Sequence, residues 1–277
     1  MTAPLLCALD PANPRILVVG QNEALYRFIC VCVNLHRTHS FHLLIATPLL
    51  ATNADVINIS AFAGKFGWNV CHTDCSEDFL VNLIDDFRPD LLVSVLYPKK
   101  ISALILSQVK FAINFHPSLL PEHRGSLTQF WAVFDGDQES GVTCHHMVEA
   151  LDQGSIVDSE KCYIDTTKET AFSLNRKLMT CFELLSERVM DIFLKTSEIP
   201  QGYKQSVPVT EYHWKKFPNE GYIDLSWNSG KIDRFIRAMY FPPYPGARLR
   251  CRDGREYQVV TMEEFKATIV QRRGSID

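Results

Sequence analysis

The sequence predicts an α/β protein: a mostly parallel, Rossmann-like sheet flanked by helices, followed by a small C-terminal α+β domain. Three observations carry this expectation. Short apolar runs alternate with helix-length stretches as far as His116. Residues 141–149 (GVTCHHMVE) then switch to strict alternation. Finally, IPQG at residues 199–202 breaks a long helical pattern and opens a turn-rich tail. Strands alternating with helices build a parallel sheet, and such sheets bind ligands at the carboxyl ends of their strands.

The elements follow in order. RILVVG at 15–20 is a short apolar run ending in glycine, the pattern of a buried parallel strand. Residues 25–35 read as a helix, 41–47 as a strand, 55–66 as a helix and 68–72 as a strand. Ser76 is placed to cap a helix through Phe87, with Asp78 in its first turn. Residues 90–96 give a fourth strand, 101–109 a short helix and 111–116 a fifth strand. Ser126 is expected to cap a helix through Phe134. In 141–149, Val142, Cys144, His146 and Val148 face one way, and Thr143, His145 and Met147 the other. Residues 154–164 read as the partner strand and 167–195 as a long helix. The tail holds a helix at 229–239 and turn-rich strands. The expected division is a domain of residues 1–203 and a smaller one of residues 204–277.

Composition narrows the function classes. Of 277 residues, 46% are hydrophobic and 22% charged, the mix of a folded globular chain. The net charge of −4 argues against broad attraction to nucleic acid or to anionic membrane. No apolar run is long enough to span a bilayer, and residues 1–14 lack the basic, then apolar, pattern of a secretory leader. The nine cysteines fall mostly in apolar runs, which points to reduced thiols in a cytoplasmic protein. Cys30 with Cys32, and Cys71 with His72, Asp74 and Cys75, lack a second ligand pair at zinc-like spacing, so no metal is expected. Neither a Gly-x-Gly-x-x-Gly loop nor a Walker-type loop follows the first strand, which excludes the usual dinucleotide and ATP sites there.

Two segments are dense in chemistry. NFHPSLLPEHRGS spans residues 114–126. Asn114 and His116 are two apart at a strand end, so their side chains share a face. Pro117 holds His116 out of the helical region, and the chain leaves the sheet extended. An amide and an imidazole at a strand's carboxyl end can orient a carbonyl and move a proton. The same pair also fits strand-end hydrogen bonding and a packed histidine. In EALDQG, residues 149–154, Asp152 sits in a turn where aspartate and glycine are favoured on conformational grounds alone.

Together the segments resemble the folate-dependent formyltransferases. The similarity lies in Asn114-x-His116 with PSLLP at 117–121, in Arg124 and Gly125, in GVT at 141–143, and in Leu151-Asp152-x-Gly154. GYIDLSW at 221–227 and IRAMYFPPYPGA at 236–247 resemble the region that follows the catalytic domain in the tRNA and sugar branches. The second is most similar to nucleotide-sugar N-formyltransferases.

The resemblance implies 10-formyltetrahydrofolate as donor and a primary amine as acceptor. Asn114, His116 and Asp152 map onto the family's catalytic Asn, His and Asp. It implies that Leu96, Tyr97, Pro98, Val148, Ala150 and Leu151 border the pterin. A nucleotide-linked amino-dideoxy sugar is the implied acceptor, dTDP-linked and aminated at carbon 3 or 4. Lys99, Arg124 and Ser126 are the candidates for its diphosphate, and Tyr240, Phe241 and Tyr244 for its base. O-antigen or other surface polysaccharide synthesis is the expected context. A homodimer through the C-terminal region is a further expectation, with no nucleic-acid or membrane partner. A methionyl-tRNA formyltransferase-like enzyme and a non-catalytic folate- or nucleotide-binding module are the alternatives. The short tail and net charge of −4 weigh against tRNA.

Overall fold

A computed structural model describes residues 13–48, 54–205, 212–213, 216–251 and 254–271. Most of the stretch read for a leader, Cys7, and residues 206–211 of the expected linker lie outside these residues. The first half runs β1 (Arg15–Gly20), α1 (Asn22–Leu35), β2 (His42–Pro48), α2 (Ala54–Gly64), β3 (Asn69–Thr73), α3 (Glu77–Phe87), β4 (Leu91–Val95), α4 (Ala103–Leu106) and β5 (Phe111–His116). It continues through β6 (Arg124–Gly125), α5 (Thr128–Asp135), β7 (Glu139–His146), β8 (Ile156–Tyr163) and α6 (Ala171–Thr196). The tail holds β9 (Tyr212–His213), α7 (Ser229–Met239), β10 (Ala247–Arg250), β11 (Glu256–Val259) and α8 (Met262–Gln271). Backbone contacts divide the chain into two compact units. The first comprises residues 1–121, 142–160 and 179–208, and the second residues 122–141, 161–178 and 209–277.

Seven strands form one sheet in the order β3-β2-β1-β4-β5-β7-β8. Strands β1 to β5 are parallel, and β7 runs antiparallel to β5. The first strand therefore pairs with both β2 and β4, which places the topological switch at their carboxyl ends. Gly20 is required there, since a Cβ would lie 2.4 Å from the carbonyl oxygen of Val95. Strands β1, β2 and β4 are near-continuous apolar runs because both of their faces are covered. Leu17, Val19, Leu44 and Leu92 pack with Leu80 and Ile84 of α3 and Ile105 of α4. On the other face Phe28 of α1, Phe115 of β5 and Phe182 of α6 form a ring cluster with centroids 5.4–6.4 Å apart. Among the described residues no helix is long and apolar enough to cross a membrane, and all eight cysteines are free thiols.

In the second unit the core is aromatic. Phe130 and Phe134 of α5 meet Phe235 of α7 at 6.0 and 5.7 Å, and Trp227 closes on Phe235 at 5.1 Å. Strands β10 and β11 form an antiparallel hairpin.

Several expected boundaries move for identifiable reasons. Ser76 caps α3 as expected, accepting the Phe79 N–H at 3.3 Å. Ser126 does not cap α5. Its own N–H donates to the carbonyl of His213 at 2.8 Å, and α5 begins only after Leu127, which is left-handed at φ 61°. The long helix starts at Ala171, because Thr170 and Ser173 exchange side chain to backbone bonds of 3.0 and 3.1 Å in a reciprocal cap. Strand β7 ends at His146 rather than Glu149, and α4 is a single turn. Helix α8 is an element the sequence reading missed.

Glu169, 5% exposed, accepts the Ser173 hydroxyl at 2.5 Å and pairs with Lys177. Burial alone would raise its pKa, but Lys177 and Ser173 outweigh that and hold it below the ordinary value. A lowered folded pKa stabilises the fold above the unfolded value of ~4.3, and that contribution is lost as pH falls through the folded value. Glu169→Gln is expected to cost about 1–3 kcal/mol at neutral pH and to shrink the loss of stability on acidification. Superimposable melting curves for the variant and the parent at neutral pH would contradict this.

Candidate active site

Strand β5 sets the site. Its period of two puts Asn114 and His116 on one face at the carboxyl end, and the antiparallel register places His145 opposite Asn114 and Thr143 opposite His116. The Thr143 hydroxyl donates to the Ser118 carbonyl at 2.7 Å and accepts the Leu120 N–H at 3.0 Å, which pins the chain just past His116. The loop leaving β7 returns to the same edge and delivers Asp152, whose backbone is left-handed at φ 55°. That turn is held twice from Gln205, whose amide donates to the carbonyls of Asp152 and Gly154 at 2.8 Å each.

One carboxylate oxygen of Asp152 faces two imidazoles, Nδ1 of His116 at 3.6 Å and Nε2 of His145 at 3.7 Å. Both rings are buried, His116 to 4% exposure. Nδ1 of His145 lies 2.8 Å from the His146 carbonyl, which can only accept, so this nitrogen carries the proton. Nε2 of His145 then accepts from the Asn114 amide nitrogen at 3.1 Å. His145 thereby fixes which end of the Asn114 amide is which. The distances from Asp152 to the rings exceed a direct hydrogen bond and suit a bridging water or closure around a substrate. The arrangement can donate hydrogen bonds to a carbonyl oxygen and pass a proton to a carboxylate.

The structure thus brings Asn114, His116 and Asp152 together in the first unit. Leu96, at φ 51°, and half-buried Tyr97 follow β4, with Pro98 and Lys99 exposed beyond them. Burial raises the Tyr97 hydroxyl pKa, and the neighbouring Cys75 adds to the shift. Val148, Ala150 and Leu151 are exposed on the loop that carries Asp152. In the second unit Arg124 on β6 is only 2% exposed, and Ser126 is partly buried. Tyr240, Phe241 and Tyr244 line one cavity of about 230 Å³ together with Pro242, Pro243 and Gln258. Sequence reasoning named Thr143 only as part of a motif, and missed His145 and Gln205. The alternation in β7 already put Thr143 and His145 on one face; what was lacking was the pairing of that face with β5.

A family model described as formyl transferase matches residues 51–184. A curated GDP-perosamine N-formyltransferase from Brucella melitensis is 35% identical over 183 residues, which cover 66% of this chain and 68% of that protein. The chain belongs to the formyl transferase family. Its fold is that of sugar N-formyltransferases. A Shewanella enzyme of that type superimposes with a TM-score of 0.68 at 19% identity, over 89% of this chain and 96% of the other. The N-formyltransferase of Helicobacter canadensis, solved with folinic acid and dTDP-3-aminofucose, superimposes with a TM-score of 0.66 at 17% identity, over 83% and 82%.

Proposed function

We propose that this chain moves the formyl group of 10-formyltetrahydrofolate to the primary amine of a nucleotide-linked amino-dideoxy sugar. The observation that carries the reading is the meeting of Asn114, His116 and Asp152 at one strand edge. Asn114 and His116 donate to the formyl oxygen as negative charge grows on it, and the Asp152 carboxylate faces the imidazolium and takes part in removing the amine proton. His145 positions the Asn114 amide. No protein nucleophile is required. The donor supplies the one-carbon unit, and the first unit offers it apolar groups held at the surface, Val148 at 45% exposure and Leu151 at 40%, with Leu96, Tyr97, Pro98 and Ala150.

For the acceptor we assign Tyr240, Phe241 and Tyr244 to the base, since their cavity has aromatic walls. Arg124, Ser126 and Lys99 are assigned to the diphosphate as donors. The sequence reading favours a dTDP-linked sugar aminated at carbon 3 or 4. The 35% identical relative is named for a GDP-linked one, which supports the wider class and makes GDP the first nucleotide to try. A formylated sugar nucleotide is a glycosyl donor, so surface polysaccharide such as O-antigen is its proposed destination. With this reading go a cytoplasmic location, a homodimer through the C-terminal region, and residues 1–203 as catalytic domain with 204–277 as its small companion.

A thermal-shift titration with 5-formyltetrahydrofolate beside a turnover assay tests the reading. Saturable stabilisation together with transfer of the formyl group is expected. Stabilisation without turnover on any amine would convert the protein into a binding module.

A further inference from the structure

A second cluster of side chains lies wholly in the second unit, apart from the three residues assigned to catalysis. His123 precedes β6 at a left-handed position, φ 50°. His213 ends β9, which pairs with β6 in parallel, Arg124 beside Tyr212 and Gly125 beside His213. Asp135 is the last residue of α5. Nδ1 of His123 and Nε2 of His213 are 3.1 Å apart, and one ligand atom from each of His123, Asp135 and His213 lies within 4.8 Å of the others. Nε2 of His123 is 2.6 Å from a carboxylate oxygen of Asp137, so that nitrogen carries the proton and Nδ1 accepts the Nε2–H of His213, a proton that a bound metal ion would displace. Trp131 stacks on His213 with ring centroids 4.1 Å apart and planes 11° from parallel, which fixes that ring.

We infer that His123, His213 and Asp135 form a binding site for a divalent first-row transition metal ion, with zinc as its occupant. Two imidazole nitrogens held by one zinc ion at 2.0–2.1 Å stand about 2.9–3.4 Å apart, and the pair here already falls in that range. Asp135 is exposed, and its carboxylate lies within 4.8 Å of both ring nitrogens. Two imidazoles suit zinc and its neighbours rather than calcium or magnesium, and zinc also accepts a carboxylate. Asp137 behind His123 is the carboxylate–histidine support that orients metal-bound imidazoles. Three protein ligands leave one tetrahedral position for water. The ion would tie the turn before β6, the end of α5 and β9 to one point. The ligands are separated by 12 and 78 residues, so no short-spacing signature shows in the sequence, and the expectation of no metal drew only on the segments 30–32 and 71–75.

Isothermal titration of EDTA-treated protein with Zn²⁺ at neutral pH tests the site. One ion per chain and a rise in melting temperature are expected. Binding should weaken roughly 10–100-fold in Asp137→Asn, and at least that far in His123→Ala and His213→Ala. Should a histidine variant fail to fold, Co²⁺ added to the parent protein decides, because nitrogen and oxygen ligands give d–d bands without a thiolate charge-transfer band. Absence of saturable binding, binding untouched by the folded histidine variants, or a thiolate band would each overturn the inference.

Discussion

His116→Ala is expected to lower the rate of formyl transfer about 10²–10³-fold while leaving the fold intact, and Asp152→Ala to do the same. The magnitude is that of losing one donor to a developing oxyanion. His116 is almost wholly buried and stands 3.6 Å from Asp152. In the proposed mechanism, deleting the ring removes the donor, and deleting the carboxylate leaves the imidazolium without its counter-charge. The loss should fall on kcat rather than on KM for either substrate, because both side chains are assigned to the place where charge develops. Circular dichroism and steady-state kinetics check this together. Near-parental kcat in either folded variant would remove that residue from the assignment.

Gly154→Ala is expected to be the most damaging single-methyl change in the first unit. A Cβ at this position would lie 1.7 Å from the carbonyl oxygen of His146 and 2.7 Å from its carbonyl carbon. The obstacle is backbone, and it is held from two sides. The His146 N–H donates to the Ser155 carbonyl at 2.9 Å, and the His146 ring bonds the Pro200 carbonyl at 2.8 Å. Relief must come from shifting the turn that carries Asp152. A cost of about 3 kcal/mol follows, together with a fall in activity out of proportion to the unfolded fraction. A melting curve and specific activity equal to those of the parent would contradict the close approach.

These two expectations also mark what the sequence reveals and what it hides. Strands β1, β2 and β4 are legible because buried parallel strands are near-continuous apolar runs, and the shared face of Asn114 and His116 follows from strand periodicity alone. The family resemblance supplied the role proposed for Asp152, a residue whose presence turn chemistry by itself explains equally well. His145 was not legible, since its contact with Asn114 depends on the antiparallel register between β5 and β7, segments about thirty residues apart. Ser126 misled for a similar reason: its N–H is taken by His213, far along the chain. Helix α8 was readable in principle. The Thr261 hydroxyl accepts the Glu264 N–H at 3.1 Å, and the Glu264 carboxylate reaches back to the Val260 N–H at 2.9 Å, close to a Thr-x-x-Glu capping box. The signal is four residues long and sits among turn residues, where it carries little weight without the packing of Phe265.

The central claim is that the acceptor is a nucleotide-linked amino sugar. It is tested most directly by incubating the protein with 10-formyltetrahydrofolate and, in separate reactions, GDP-, dTDP- and UDP-linked amino-dideoxy sugars and initiator methionyl-tRNA, with products read by mass spectrometry. The account predicts that at least one nucleotide sugar gains the mass of a single formyl group and that methionyl-tRNA stays unmodified. Efficient formylation of methionyl-tRNA, with no mass gain on any nucleotide sugar, would contradict it.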